Sequence, residues 1–175
     1  NLLHHVGTIR NTFHLPCVVA VNAFPTDTAE ELRLVQERCR ELGVNAGLSE
    51  VWAKGGQGGR DLAREVVRLC DQPRLEEFTF AYPDNASLIY KLNSIVGRVY
   101  GGSQAVLTPA AQKQLKRLTE LGFGGLPVCI AKTQYSMSDD ASRLGAPEGY
   151  TLTIRSARLS AGAGFVVAFA GSIIA

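Results

Sequence analysis

The segment LPCVVAVNAF, residues 15–24, constrains the fold more than any other part of the chain. It is a continuous apolar run rich in β-branched residues, with no polar alternation before Asn22. A strand wetted on one face alternates apolar with polar, whereas a parallel strand covered on both faces does not. The run therefore predicts a central parallel strand over 15–24. The next residues, PTDTAEELRLVQERCRELG, supply a helix to follow it. Thr28 and Glu31 have capping-box spacing, Leu32, Val35, Cys39 and Leu42 share one helical face, and Gly43 is a stop signal. GLSEVW, residues 47–52, then reads as a second short strand. The glycine-rich KGGQGG leads into a helix over 60–71 that aligns Leu62, Val66, Leu69 and Cys70. Two strand–helix steps in succession predict a parallel α/β unit over residues 1–75.

Residues 76–175 read as a smaller α+β portion. Residues 72–87, which include Pro73 and Pro83, read as a connection, and a helix over 86–100 carries Leu88, Leu92, Ile95 and Val99 on one side. Thr108 and Pro109 are cap and first residue of another helix, with Leu115, Leu118 and Leu121 toward the core and Gly122 at its end. LPVCIAK, 126–132, is a buried strand, 133–149 a loop, and YTLTIRSAR, 150–158, a strand with one wet face. The apolar stretch 161–175 reads as a strand and a turn, too short for the roughly 20 residues a membrane span needs.

Composition narrows the function. With 46% apolar and 19% charged residues, disorder is excluded. The net charge of +2 gives no footing for a nucleic-acid partner. Residues 1–87 carry nine basic and twelve acidic side chains, net −3, and residues 88–175 carry nine and four, net +5. That asymmetry permits an anionic small molecule at most. Cys17, Cys39, Cys70 and Cys129 contain no C-x-x-C pair and read as small core residues of a reducing, cytoplasmic compartment. His4, His5 and His14 have no Cys or carboxylate at ligand spacing, so no metal-ligating set is assigned.

Ligands in open α/β sheets bind beyond the carboxyl ends of strands. Asn22, Phe24, Pro25 and Asp27 occupy one such end, and Trp52, the only tryptophan, occupies the next. If the two strands are neighbours, Phe24 and Trp52 face one cleft with their rings partly exposed. They then either sandwich a flat heterocycle or pack at the core rim. Backbone N–H groups at Gly55, Gly56, Gly58 and Gly59 precede a helix, so they either cradle an anion or form a mobile turn with close backbone approach. G-x-x-x-x-G-K-S/T is absent from the 175 residues. A third polar group, Lys132 to Ser136, follows the strand at 126–132, and Asp139-Asp140 beyond it suits a turn or cap.

NAFPTDT, EVWAKGGQGG, LPVCIAKTQYSMSDD and SARLSAGAGF, in this order and spread over essentially the whole chain, resemble formate–tetrahydrofolate ligase. AKTQYS looks like the bacterial form. The resemblance implies an α/β fold related to the P-loop nucleotide hydrolases. It implies a ligase that joins formate to tetrahydrofolate with ATP and magnesium through formyl phosphate, and a homo-oligomer in the full-length enzyme. It also implies that Phe24 and Trp52 stack on a ligand ring, with Asn22, Pro25, Gly55 and Gly56 beside them, and it assigns no catalytic residue to this chain. Three departures accompany it: the family's P-loop motif is missing, NTFHLP is slightly longer than the usual Phe-Gly-x-Pro, and Ser172 stands where an acidic residue is usual. The expectation is a C-terminal portion of the enzyme, inactive alone, with a non-catalytic structural or assembly module as the alternative. A GTPase-like base-reading strand fits less well, since Asn22 and Asp27 are five residues apart where that motif needs three.

Overall fold

The computed structural model describes residues 1–73 and 76–171; Ser172 lies outside the described residues. Contacts divide the chain into two units, one from Leu2 to Thr79 and the other from Phe80 onward with Asn1. The architecture is α/β, with a parallel sheet in the first unit and a mixed sheet in the second, each flanked by helices.

The first unit opens with α1 (Leu2–Gly7) and a wide turn, Thr8–Thr12, and then runs β1 (Val19–Asn22), α2 (Ala29–Glu41), β2 (Ala46–Ser49), the single turn α3 (Val51–Lys54), a tight turn Gly55–Gly59, and α4 (Arg60–Cys70). β1 and β2 pair in parallel from Val19–Ala46 to Asn22–Ser49. The first strand is thus shorter than the predicted 15–24. Its only partner among the described residues is four residues long, and Pro16 within the run has no N–H to donate. Nor is β1 covered on both faces, because Ala20 and Asn22 are exposed. The strand predicted over 47–52 stops at Ser49, and Trp52 lies on a helical turn instead.

α2 follows its sequence closely. Thr28 accepts from the Glu31 N–H at 3.2 Å, and Glu31 Oε2 accepts from the Thr28 N–H at 2.9 Å. The Thr28 N–H, and after it the Thr28 hydroxyl, which also donates to Glu31 Oε2 at 2.8 Å, hold the Glu31 carboxyl below its ordinary range. Leu32 and Val35 are half-buried and Cys39 is fully buried, but Leu42 is exposed. α4 is looser: Leu62 and Leu69 are half-buried, while Val66 and Val67 face outward.

The second unit has α5 (Leu88–Ser94), which widens into the turn Ile95–Tyr100, then β3 (Gln104–Leu107), α6 (Pro109–Leu118), β4 (Val128–Ala131), β5 (Thr151–Ser160) and β6 (Phe165–Ala170). With four strands against two among the described residues it is the larger portion, where a smaller one was expected. The strand order is β3-β5-β6-β4, with β5 and β6 antiparallel and both outer pairs parallel. Leu88, Leu92 and Val96 meet Ala111, Leu115, Leu152, Ile154, Val166 and Ala168 in one core. Thr108 caps α6 by accepting from the Ala111 N–H at 3.2 Å, with Pro109 as the first helical residue. Leu121, expected in the core, is exposed because the helix gives way after Leu118 to a turn in which Gly122 takes φ +91. All four cysteines are free thiols, but only Cys39 is buried. Cys70 ends α4 and Cys129 is an exposed position of β4, so the expectation of four core cysteines fails there. Among the described residues no helix is long and apolar enough to cross a membrane.

Candidate functional site

The parallel register of β1 and β2 sets Asn22 beside Ser49, and the Ala23 N–H donates to the Ser49 carbonyl at 3.0 Å. Both chains therefore leave the sheet at one edge. From β1 the backbone enters the turn Phe24-Pro25-Thr26-Asp27. Proline at its second position presets φ, and aspartate at its end offers a side-chain acceptor. The Phe24 N–H donates to Asp27 Oδ2 at 2.8 Å, and the Asp27 N–H donates to the Phe24 carbonyl at 3.0 Å. From β2 the chain passes Glu50 into α3. The Glu50 carbonyl accepts from the Ala53 and Lys54 N–H groups at 3.0 and 2.9 Å, and its carboxylate takes Lys54 Nζ at 2.7 Å.

These two turns bring Phe24 and Trp52 together. Their ring centroids are 6.2 Å apart and their planes are inclined by 52°. Phe24 is 47% and Trp52 71% exposed, so neither ring belongs to the core. A flat ring stacked between two others needs them about 7 Å apart and parallel, at about 3.5 Å per layer. In the observed geometry the two rings touch each other, and a sandwich requires them to part slightly and turn. Of the other predicted site residues, Asn22 and Pro25 are exposed at the same edge. Gly55 takes φ +56 and ψ −147, a conformation that only glycine adopts readily, and donates its N–H to the Val51 carbonyl. Gly56 is exposed with open space where a Cβ would stand. Within KGGQGG, residues Gly55–Gly59 form a tight turn, and the Glu50 N–H donates to the Gly58 carbonyl at 3.0 Å, a close backbone approach of the kind the glycines allow.

The third polar group lies in the second unit. Lys132 Nζ donates to the Thr133 carbonyl at 3.0 Å and to the Ser136 carbonyl, and it stands 5.0 Å from the Tyr100 ring centroid. Burial lowers its pKa against the opposing pull of Asp139. This lysine pins its own loop. Asp140 accepts from the Ser142 N–H at 2.9 Å and its hydroxyl at 2.6 Å and so serves a turn as expected, whereas Asp139 accepts from the Thr153 N–H of β5 at 3.0 Å and ties the loop to that strand.

Beside them Tyr150, 5% exposed, donates its hydroxyl to the Met137 carbonyl at 2.7 Å and stands 3.1 Å from that of Tyr100. Burial first, then Tyr100 and Asp139, push its pKa from 10.0 up to about 12, against the Arg143 guanidinium. Between these values the folded chain keeps a proton that the unfolded chain loses. The contribution is therefore complete below the unfolded value and falls away as pH rises through the folded one. Tyr150→Phe should lower neutral stability by about 1 kcal/mol and flatten the alkaline loss. Urea midpoints on either side of this window check it; an unaltered alkaline loss would assign the effect to another group.

The sequence placed Asp27 at the strand end and Gly58 in a glycine run suited to close backbone approach, but not the closing contact that each makes. A family model described as formate–tetrahydrofolate ligase matches residues 1–175.

Proposed function

Because the chain belongs to the formate–tetrahydrofolate ligase family, we propose that its first unit holds the flat heterocycle of a folate or nucleotide between Phe24 and Trp52. The family joins formate to tetrahydrofolate with ATP and magnesium, through formyl phosphate as the resemblance implies. The observation that carries the proposal is the ring pair itself. Two large aromatic side chains stand exposed 6.2 Å apart where two paired parallel strands end. Aromatic faces left in water at a sheet edge favour a flat partner that covers them. Asn22 and Pro25 flank that edge, and Gly55 and Gly56 follow Trp52.

The ATP phosphates and magnesium do not fit these residues. No G-x-x-x-x-G-K-S/T occurs in the sequence. Among the described residues no three His, Cys, Asp or Glu side chains gather. No catalytic step through either group is therefore assigned here, and the chain acts as the ring-binding part of a cytoplasmic, homo-oligomeric ligase. The other reading, a structural or assembly module, draws on Val66 and Val67, which α4 exposes to 43% and 58%.

Trp52 is the only tryptophan, so its fluorescence reports on the ring pair alone. Titrating the chain with tetrahydrofolate, and separately with ADP, should quench it with the ring that binds. A flat response to both puts the module reading ahead. The purified chain is also expected to release no ADP in a formate-dependent way, because phosphoryl transfer needs the phosphates cradled and the metal held. Formate-dependent release would show that these residues do activate formate.

A further inference from the structure

Each of the two rings projects from a backbone segment closed by a hydrogen bond to a residue three or eight positions away. We propose that Asp27 and Gly58 are positioning residues for the ring pair: neither meets the heterocycle, and each fixes the backbone that carries one ring. The inference rests on the ring-holding reading above.

At Phe24 the closure is reciprocal. Its N–H donates to Asp27 Oδ2 at 2.8 Å while its carbonyl accepts from the Asp27 N–H at 3.0 Å. Pro25 between them restricts φ. The aspartate contributes an acceptor oxygen here, which an asparagine amide also has.

At Trp52 the closure spans 50–58. The Glu50 N–H donates to the Gly58 carbonyl at 3.0 Å, and the two backbones approach so closely that only glycine fits. A Cβ on residue 58 would lie 2.4 Å from both the carbonyl carbon and the oxygen of Glu50, and 2.9 Å from the Val51 nitrogen. These are backbone atoms, so no side-chain rotation relieves the overlap. An alanine there forces the clasp open, and Trp52, two residues after Glu50, moves away from Phe24. In the same run Gly55 and Gly56 meet nothing within 4 Å, and a Cβ on Gly59 would meet only the Val51 side chain, at 2.9 Å, so the overlap with backbone is particular to residue 58.

The test titrates the wild-type chain, Gly58→Ala, Asp27→Ala and Asp27→Asn with tetrahydrofolate, following Trp52 fluorescence. Gly58→Ala and Asp27→Ala should each weaken binding by about tenfold, since small displacements of a positioned group are costly. Gly58→Ala should also shift the emission of unliganded Trp52, and Asp27→Asn should restore wild-type affinity. Wild-type affinity in both Gly58→Ala and Asp27→Ala overturns the positioning roles and leaves ring holding intact. Asp27→Asn binding as weakly as Asp27→Ala overturns the role of Asp27, because the carboxylate charge would then act on the ligand. If Gly58→Ala does not fold, the exposed Asp27 pair decides the question alone. A wild-type chain that does not respond to tetrahydrofolate removes the ring-holding reading, and this inference with it.

Discussion

Lys91→Met is expected to destabilise the second unit by about 3 kcal/mol, the largest effect of any single substitution considered for this chain. Lys91 is 1% exposed, and its Nζ donates to the carbonyls of Asp84 at 2.7 Å, Gly125 at 2.7 Å and Leu126 at 3.2 Å. Three acceptors require three N–H donors, which only the ammonium form supplies. The face of Tyr82 lies below it, with the ring centroid 5.4 Å from Nζ. Two effects oppose each other in the variant. Methionine keeps the stem's packing and avoids the several kcal/mol that burying an ammonium costs. It also leaves three carbonyls without a donor, at about 1–3 kcal/mol each. The orphaned acceptors outweigh the relief, because the cage already solvates the charge in the wild type. The urea midpoint with its slope unchanged reads the loss. A midpoint equal to the wild type would mean that water reaches the three carbonyls and the cage contributes nothing.

Lys91 also shows how much of the fold was legible. Leu88, Lys91, Leu92 and Ile95 fall at i, i+3, i+4 and i+7, so the lysine stands on the apolar face of a helix that the periodicity located correctly. The periodicity gave that face to Leu88, Leu92, Ile95 and Val99 and did not single out Lys91, whose three carbonyl partners come from loops outside the helix. The same division runs through the molecule. The capping box at Thr28 and the Thr108-Pro109 start are local devices, and both form as read. β3 was missed because Gln104–Leu107 has no distinctive alternation. It is a strand by virtue of pairing with Thr151–Ile154 far downstream, with the Ala105 N–H also held by Asn93 Oδ1 at 2.9 Å. At the candidate site, strand neighbourhood and the nearness of Phe24 to Trp52 followed from two strand–helix steps. The helical turn under Trp52 did not, since it depends on the contact between Glu50 and Gly58. The glycines there read as an anion cradle or as a turn with close backbone approach, and at residue 58 the missing side chain makes room for the Glu50 backbone.

Trp52→Ala should weaken binding of tetrahydrofolate by about 1–3 kcal/mol, or roughly five- to 150-fold, the range for removing one aromatic face from a stacked base. The fold should survive. With the indole 71% exposed, little burial is lost, and surface substitutions usually stay within about 0.5 kcal/mol. The free-state geometry decides where in the range the loss falls. Phe24 and Trp52 touch at 6.2 Å, so an incoming ring must break a contact that is worth about 0.5–1.5 kcal/mol in aromatic pairs. The wild type gains two stacking faces and gives up that contact. The alanine variant gains one face and gives up nothing, which places the net loss toward the lower half of the range. Trp52→Phe keeps a second face and should lose less than Trp52→Ala. Calorimetry is the right measurement, because removing the indole removes the fluorescence signal. Equal dissociation constants for wild type and Trp52→Ala would take Trp52 out of the site and leave its contact with Phe24 as rim packing.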